Sequence, residues 1–215
     1  MNINLPETVF NQCGEFVSDR ICSSMSLMMQ NVEDTLYDMA KTEKSRTKAS
    51  QYFDAVRIIR LKKYEMQVRF KNRFLSIYQY RVRSFIKNQY LADITFSKVG
   101  HHSFTKEKNS PEGKALENTV EKVNVDCQSA LLNLDKRICN LLDDVDVSYL
   151  GNPLRPEPIF EAFWESCRDV DFKPEIRLLL VNLFERYVGL ELKYVYEDLN
   201  TYIANQVDIS IYPVA

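Results

Sequence analysis

The sequence predicts an all-α protein: an elongated multi-helix bundle in which a long basic central helix packs on an acidic amphipathic helix. Three observations carry this. Gly and Pro are scarce, five and seven among 215 residues, too few for a β fold that turns roughly every 8–12 residues. Residues 45–90 contain neither. Apolar side chains recur at three- and four-residue spacing along most of the chain, the period of an amphipathic helix. The apolar fraction of 45% and charged fraction of 27% suit a packed globular core. The expectation is a single helical domain over 1–215, with a loop at 95–113 and a proline-rich crossover at 151–158.

Pro6 and Glu7 suit a first helical turn. Val9, Phe10, Cys13, Phe16, Val17, Ile21, Met25 and Met28 then mark a helix to about Gln30, in which Gly14 costs about 1 kcal/mol against Ala. Asn31 reads as a break or cap before a short second helix with Val32, Leu36, Met39 and Ala40. Lys41–Ser50 is polar, and Ser45 is a candidate N-cap. From there Tyr52, Val56, Ile59, Met66, Phe70, Phe74 and Ile77 share one face of the long helix, joined by Lys63 and Arg81, each of which calls for an acidic partner or a snorkelling exit. An unbroken 46-residue helix would run about 70 Å, against about 45 Å for the diameter of a compact globule of this length. It must kink, break near Gln79–Ser84, or project in an elongated bundle.

After the loop, Leu116, Val120, Val123, Cys127, Leu131, Leu134, Ile138 and Leu141 form a narrow apolar stripe flanked by Glu117, Glu121, Asp126 and Asp135. This acidic helix is expected to lie antiparallel on the basic one; self-association as a coiled coil between subunits is the alternative. Three prolines at 153, 156 and 158 mark a rigid crossover into a short helix carrying Ile159, Phe160, Phe163, Trp164 and Cys167. Pro174 opens another, with Ile176, Leu180, Leu183 and Phe184. Gly189 is read as separating it from a last helix through Leu192, Tyr196 and Leu199. The tail 207–215 reads as a strand or extended linker.

The net charge of −2 hides a polarised chain. Residues 41–90 hold 14 Lys/Arg against three acids, and the other 165 residues hold 14 against 27. So basic a segment meets either the acidic remainder of its own fold or an acidic partner. Lys62, Arg69, Arg73, Tyr80, Arg83 and Lys87 line up as one stripe and are the candidate binding residues, able to contact phosphates and stack a base.

No apolar run reaches the roughly 18 residues of a membrane span, and the first residues lack a signal peptide's basic and apolar regions. A cytoplasmic location without a membrane partner is the expectation. Five Cys at 13, 22, 127, 139 and 167 lack any Cys-x-x-Cys pair and read as reduced thiols. Adjacent His101 and His102 in the loop fall short of a metal site. Asp143, Asp144 and Asp146 lack the Gly and terminal Glu of a calcium loop. There is no phosphate loop, nucleophile elbow or zinc-protease motif. No catalytic residue, cofactor or metal is expected, and the chain is read as not an enzyme.

Seven short motifs carry a family resemblance: Asn152-Pro-Leu-x-Pro-Glu157 followed by Phe160-x-x-Phe163; Leu183-Phe-Glu-Arg-Tyr-Val188; Tyr196-x-x-Leu199-Asn200; and, upstream, Leu36-Tyr-x-x-Ala40 with Gln51-Tyr-Phe-Asp-Ala-Val-Arg57-x-x-Arg60 and Leu134-x-x-Arg137. Together they resemble a bacterial family of unknown function whose members are sometimes labelled "thymidine phosphorylase". The resemblance implies the N-terminal helical region of long cytoplasmic proteins, some ending in a PilZ-like β-module tied to cyclic-di-GMP signalling. That module is not matched here: Arg69-x-x-x-Arg73 has its arginine spacing, but inside a predicted helix. The functional expectation is therefore a non-catalytic regulatory or scaffold domain of bacterial signalling that binds another protein, with homo-oligomers through the long helices a further option. The alternative is an anionic ligand, nucleic acid or a nucleotide second messenger, held by the basic stripe.

Overall fold

In the computed structural model the described residues are 5–90, 110–142 and 151–211, with backbone alone at Leu5, 87–90 and 207–211. They form α1 (Leu5–Thr42), α2 (Arg46–Tyr90), α3 (Pro111–Asp126), α4 (Gln128–Leu141), α5 (Glu157–Arg168), α6 (Pro174–Phe184) and α7 (Leu190–Ile211), with a π-helical turn at Glu185–Gly189 between the last two. No strand occurs among them. The architecture is the elongated all-helical bundle that the sequence predicts.

α1 and α2 are joined by a three-residue turn and pack as an antiparallel hairpin. Ser45 caps α2: its Oγ accepts from the Lys48 N–H at 3.5 Å, and its own N–H donates to Glu43 Oε1 at 2.9 Å. Up the hairpin, Tyr37 meets Phe53 edge to face at 5.9 Å. Glu33 accepts from Arg60 at 2.8 Å and from Lys63 at 3.0 Å. Gln67 donates to Ser26 at 2.7 Å and Lys71 to Asp19 at 2.8 Å. At the far end the Tyr78 hydroxyl donates to the Phe10 carbonyl at 2.8 Å, and Phe10 packs on Phe85. The acidic helix against α2 is thus α1, which carries six Asp/Glu against two Lys/Arg.

α2 does not kink. It runs unbroken for 45 residues, about 68 Å, because both flanks are supported. Its buried stripe is Ala55, Val56, Ile59, Met66, Phe70 and Phe74, continued by Tyr78, Val82 and Phe85; Tyr52 and Ile77 only border it. α5 lies antiparallel on its other flank. Arg69 faces Asp169 at 3.4 Å, Arg73 faces Glu165 at 3.5 Å, and Arg81 reaches Glu161 at 3.0 Å. Phe184 closes the junction, stacked on Phe163 at 3.9 Å and edge-on to Phe70 and Phe160.

The apolar stripe of 116–141 is buried throughout, yet it does not face α2. α3 packs along α6 and the π turn, and α4 packs on α7. Arg177 pairs with Glu112, Glu185 accepts from both Lys122 and Thr119, and Asn200 donates to the Ala130 carbonyl at 2.9 Å. The expected antiparallel pairing with the basic helix is therefore overturned: aromatic α5, with a stronger apolar face, takes that position. Within the chain this stripe is already covered, by α6, the π turn and α7.

Several boundaries differ from expectation, the first at Cys127, where the single helix expected across 116–141 divides into α3 and α4. Asn31 does not break α1: its amide donates back to the Leu27 carbonyl, and Thr35 does the same to the Asn31 carbonyl. The buried Val32 and Leu36 carry the helix through. Gly189 does not separate two helices but lies in the π turn linking α6 to α7, where an added Cβ would meet Val123 at 3.1 Å. The tail expected as strand or linker is helical as far as Ile211. His101, His102 and the aspartates at 143, 144 and 146 lie outside the described residues. The proline crossover is pinned by Asn152, buried, whose carbonyl oxygen accepts from the Leu154 N–H while its amide donates to Asp135; Arg155 holds the other Asp135 oxygen.

Candidate functional site

The candidate stripe of α2 splits in two. Its lower half is neutralised. Lys62 pairs with Glu65 at 2.6 Å, Arg69 bridges Glu65 and Asp169, and Arg73 lies within 3.7 Å of both Glu165 and Asp169. These hydrogen bonds, Lys62 foremost, hold the Glu65 carboxyl below its ordinary pKa. The upper half is open. Tyr80 is 56% exposed, and Arg83 makes no ion pair among the described residues. Together with Asn72, Leu75, Ser76 and Gln79 they line a shallow hollow of about 410 Å³. The Lys87 side chain lies outside the described residues. Lys63 and Arg81, expected to need acids, find them in Glu33 and Glu161.

The acids that reach α2 from this flank, Glu165 and Asp169 on the stripe and Glu161 on Arg81, were not singled out in the sequence. Their signal was there: spacing of four residues places them on one face of a single helix. In the same way Glu15, Asp19 and Glu33 on α1 meet Lys71, Arg60 and Lys63.

A different surface of α2 is left largely exposed, although Phe53 at its start meets Tyr37 of α1. Phe53, Arg57, Leu61, Tyr64 and Val68 are spaced by 4, 4, 3 and 4 residues and fall on the side opposite the buried stripe. Leu61 is 73% exposed, Tyr64 77%, Phe53 44% and Val68 42%. Singly exposed apolar residues are ordinary, whereas a contiguous row is a mark of a contact surface. Leu61 also forms the lip of a groove between α2 and the α5–α6 connection. This groove has two stretches of about 230 and 420 Å³ that share Ile58, Leu61 and Asp171, and Val170, Phe172 and Ile176 complete its apolar floor. The apolar surface therefore continues from the bare row over Leu61 into a cleft.

A second cleft, of about 480 Å³, lies between α4 and α7 and is polar, with Arg137, Lys193, Glu197 and Asn133 on its walls. Arg137 Nε and Asn200 Oδ1 are buried there without a hydrogen-bond partner among the described residues. Its cations and acids balance, and no nucleophile stands beside a base in it: burial pushes the Cys127 thiol up to about 11. Among the described residues no group of three or more His, Cys, Asp or Glu is placed to hold a metal ion, and no helix is long and apolar enough to cross a membrane.

No curated protein and no solved structure matches the chain. A family model does, over residues 6–95 and 107–206, and its description is the N-terminal domain of a protein of unknown function (DUF1631). Both halves of the match coincide with the two structural halves described above, the α1–α2 hairpin and the α3–α7 assembly packed against it. The chain belongs to the DUF1631 N-terminal domain family.

Proposed function

We propose that the chain is a non-catalytic helical module that docks another protein, serving as a regulatory or scaffold part in the cytoplasm of a signalling system. The observation that supports this reading best is the bare row of α2. Four apolar residues at helical spacing face away from the core on the most strongly supported helix of the bundle, which is how helix-in-groove and helix-on-helix recognition present their anchors. A rigid helix loses little freedom on binding, so such a surface is pre-organised. Five free thiols, three of them buried, suit a reducing compartment.

The test is a comparative pull-down with the intact chain and its Leu61→Glu and Tyr64→Glu variants. Both residues are mostly exposed, so the variants keep the wild-type circular dichroism and melting point. A partner retained by the wild type and lost from both variants supports the reading. A set of recovered proteins identical for all three refutes it.

The second reading keeps an anionic ligand, and its support is confined to Tyr80 and Arg83, the described part of the stripe left unpaired. A base stacked on Tyr80 with its phosphate on Arg83 fits the hollow they line. Titration with single-stranded DNA at low salt decides it, because phosphate contacts weaken steeply with added salt; absence of binding at low salt removes this reading.

A further inference from the structure

We infer that the bare row of α2 takes an acidic amphipathic helix of a partner protein, about four turns long, lying along Phe53 to Val68. This rests on the docking reading above and adds the chemistry of the occupant. The argument begins with the composition of α2: twelve Lys/Arg against two acids, Asp54 and Glu65. A helix with that balance repels itself unless neighbours supply the counter-charge. Two neighbours within the chain do so, each by the same device. α1 presents Glu15, Asp19 and Glu33 to Lys71, Arg60 and Lys63. α5 presents Glu161, Glu165 and Asp169 to Arg81, Arg73 and Arg69. In both cases an apolar seam is buried alongside the ion pairs.

The third side of α2 repeats the pattern and lacks the helix. Its seam is Phe53, Leu61, Tyr64 and Val68; the charged side chains along it without an ion pair among the described residues are Arg57 and Asp54, and exposed Arg46 stands about 10 Å beyond its N-terminal end. The seam from 53 to 68 is about 22 Å long, which sets the length of the occupant. A second copy of this chain offers Asp54 alone from the same face, since Glu65 is already held by Lys62 and Arg69. A basic helix would add to an excess that is already uncompensated. An acidic helix covers the apolar row and supplies the counter-charge that Arg57 lacks, which is electrostatic complementarity of the kind that selects partners.

The experiment is selection from a displayed library of 18-residue helices with a fixed leucine seam and equal Glu and Lys at every flanking position. The bait is the whole chain. The expected result is enrichment of Glu-rich clones whose affinity falls at least about tenfold on Leu61→Glu or Tyr64→Glu, the scale of losing an aromatic or aliphatic anchor. Arg57→Glu should shift the enriched clones toward Lys at the matching flank. Clones that depend on Leu61 and Tyr64 yet are neutral or Lys-rich overturn the acidic assignment and leave the docking reading standing. Glu-rich clones indifferent to Leu61 and Tyr64 place the site elsewhere and overturn the inference. No enrichment also overturns it, and the pull-down comparison then judges the docking reading alone. A chain that light scattering shows to be dimeric, and monomeric once Tyr64 is Glu, names a second copy as the occupant and likewise overturns it.

Discussion

Replacing Gly14 with Ala should destabilise the protein, although every rule of helix propensity says the opposite. Gly14 lies mid-helix in α1, where Ala is better by about 1 kcal/mol. An added Cβ, however, would sit 2.6 Å from Tyr78 Cδ1 and closer still to Cε1. The ring cannot swing aside. It is buried, stacked on Phe74 with centroids 5.7 Å apart, and tied by its hydroxyl to the Phe10 carbonyl at 2.8 Å. To reach ordinary contact with the nearer atom the helices must part by about 1 Å, forfeiting dispersion along the seam. Overpacking of this kind costs about 1–3 kcal/mol, and breaking the tyrosine hydrogen bond in a dry site adds about 1–3 kcal/mol. Set against the propensity gain, the net loss is about 1–5 kcal/mol, with the melting point falling by about 2–4 °C per kcal/mol at this chain length. Urea unfolding followed at 222 nm measures it. In a Tyr78→Leu background the obstacle is gone, and Gly14→Ala should become favourable by up to about 1 kcal/mol. A wild-type background in which Gly14→Ala stabilises, or a double-mutant cycle with no coupling, refutes the reasoning.

Four other outcomes are expected. Arg81→Met should destabilise by about 2–4 kcal/mol, because it strands Glu161, whose side chain is only 9% exposed; Glu161→Gln should cost less, and denaturant midpoints compare them. Glu33 is pulled two ways: burial raises its pKa, but hydrogen bonds from Arg60 and Lys63 outweigh that and bring it below 4.5. A carboxyl depressed by folding stabilises above its unfolded pKa and loses that contribution as pH falls through the folded one. The stability gap between wild type and Glu33→Gln should therefore be widest near neutrality and close below pH 4.5, as acid titration of the melting point will show. Burial raises the Cys13 thiol to about 12 and the Cys167 thiol further, so an aromatic disulfide reagent should label half-buried Cys22 and Cys139 in the native protein and the buried three only after unfolding. Inserting ten Gly/Ser residues in the Glu43–Ser45 turn should slow refolding only about twofold, since closure entropy grows with the logarithm of loop length; stopped-flow fluorescence measures it.

Much of the fold was legible because the helical period is strong. The buried faces of α1, α3, α4 and α6, the Ser45 cap and the run of α2 follow from spacing alone. What spacing cannot supply is which face meets which. The stripe at 116–141 and the acids beside it suggested a partner for α2, yet the aromatic α5, with Phe160 and Phe163 against Phe184, fits that flank better. The break expected at Asn31 failed because tertiary burial of Val32 and Leu36 outweighs a weak local preference. Gly14 was read as a tolerated flaw, whereas it is the space Tyr78 occupies. Of the candidate stripe, Lys62, Arg69 and Arg73 are paired with Glu65, Glu165 and Asp169, and the row of Phe53, Leu61, Tyr64 and Val68 beside them went unread because those residues were assigned to no face.

The ladder of contacts between α1 and α2 also sets an order of assembly. From the turn outward the cross-links are Glu33 to Arg60, Ser26 to Gln67, Asp19 to Lys71 and Phe10 to Tyr78, with sequence separations of 27, 41, 52 and 68. Each rung shortens the loop that the next must close, so the hairpin can zip from its tip without any single large entropic step. Even closing the last rung directly would cost only about 0.8 kcal/mol more than the first. A hairpin that zips in this way offers the chain an early acid-and-base-matched platform, on which α5 and then the remaining helices can settle.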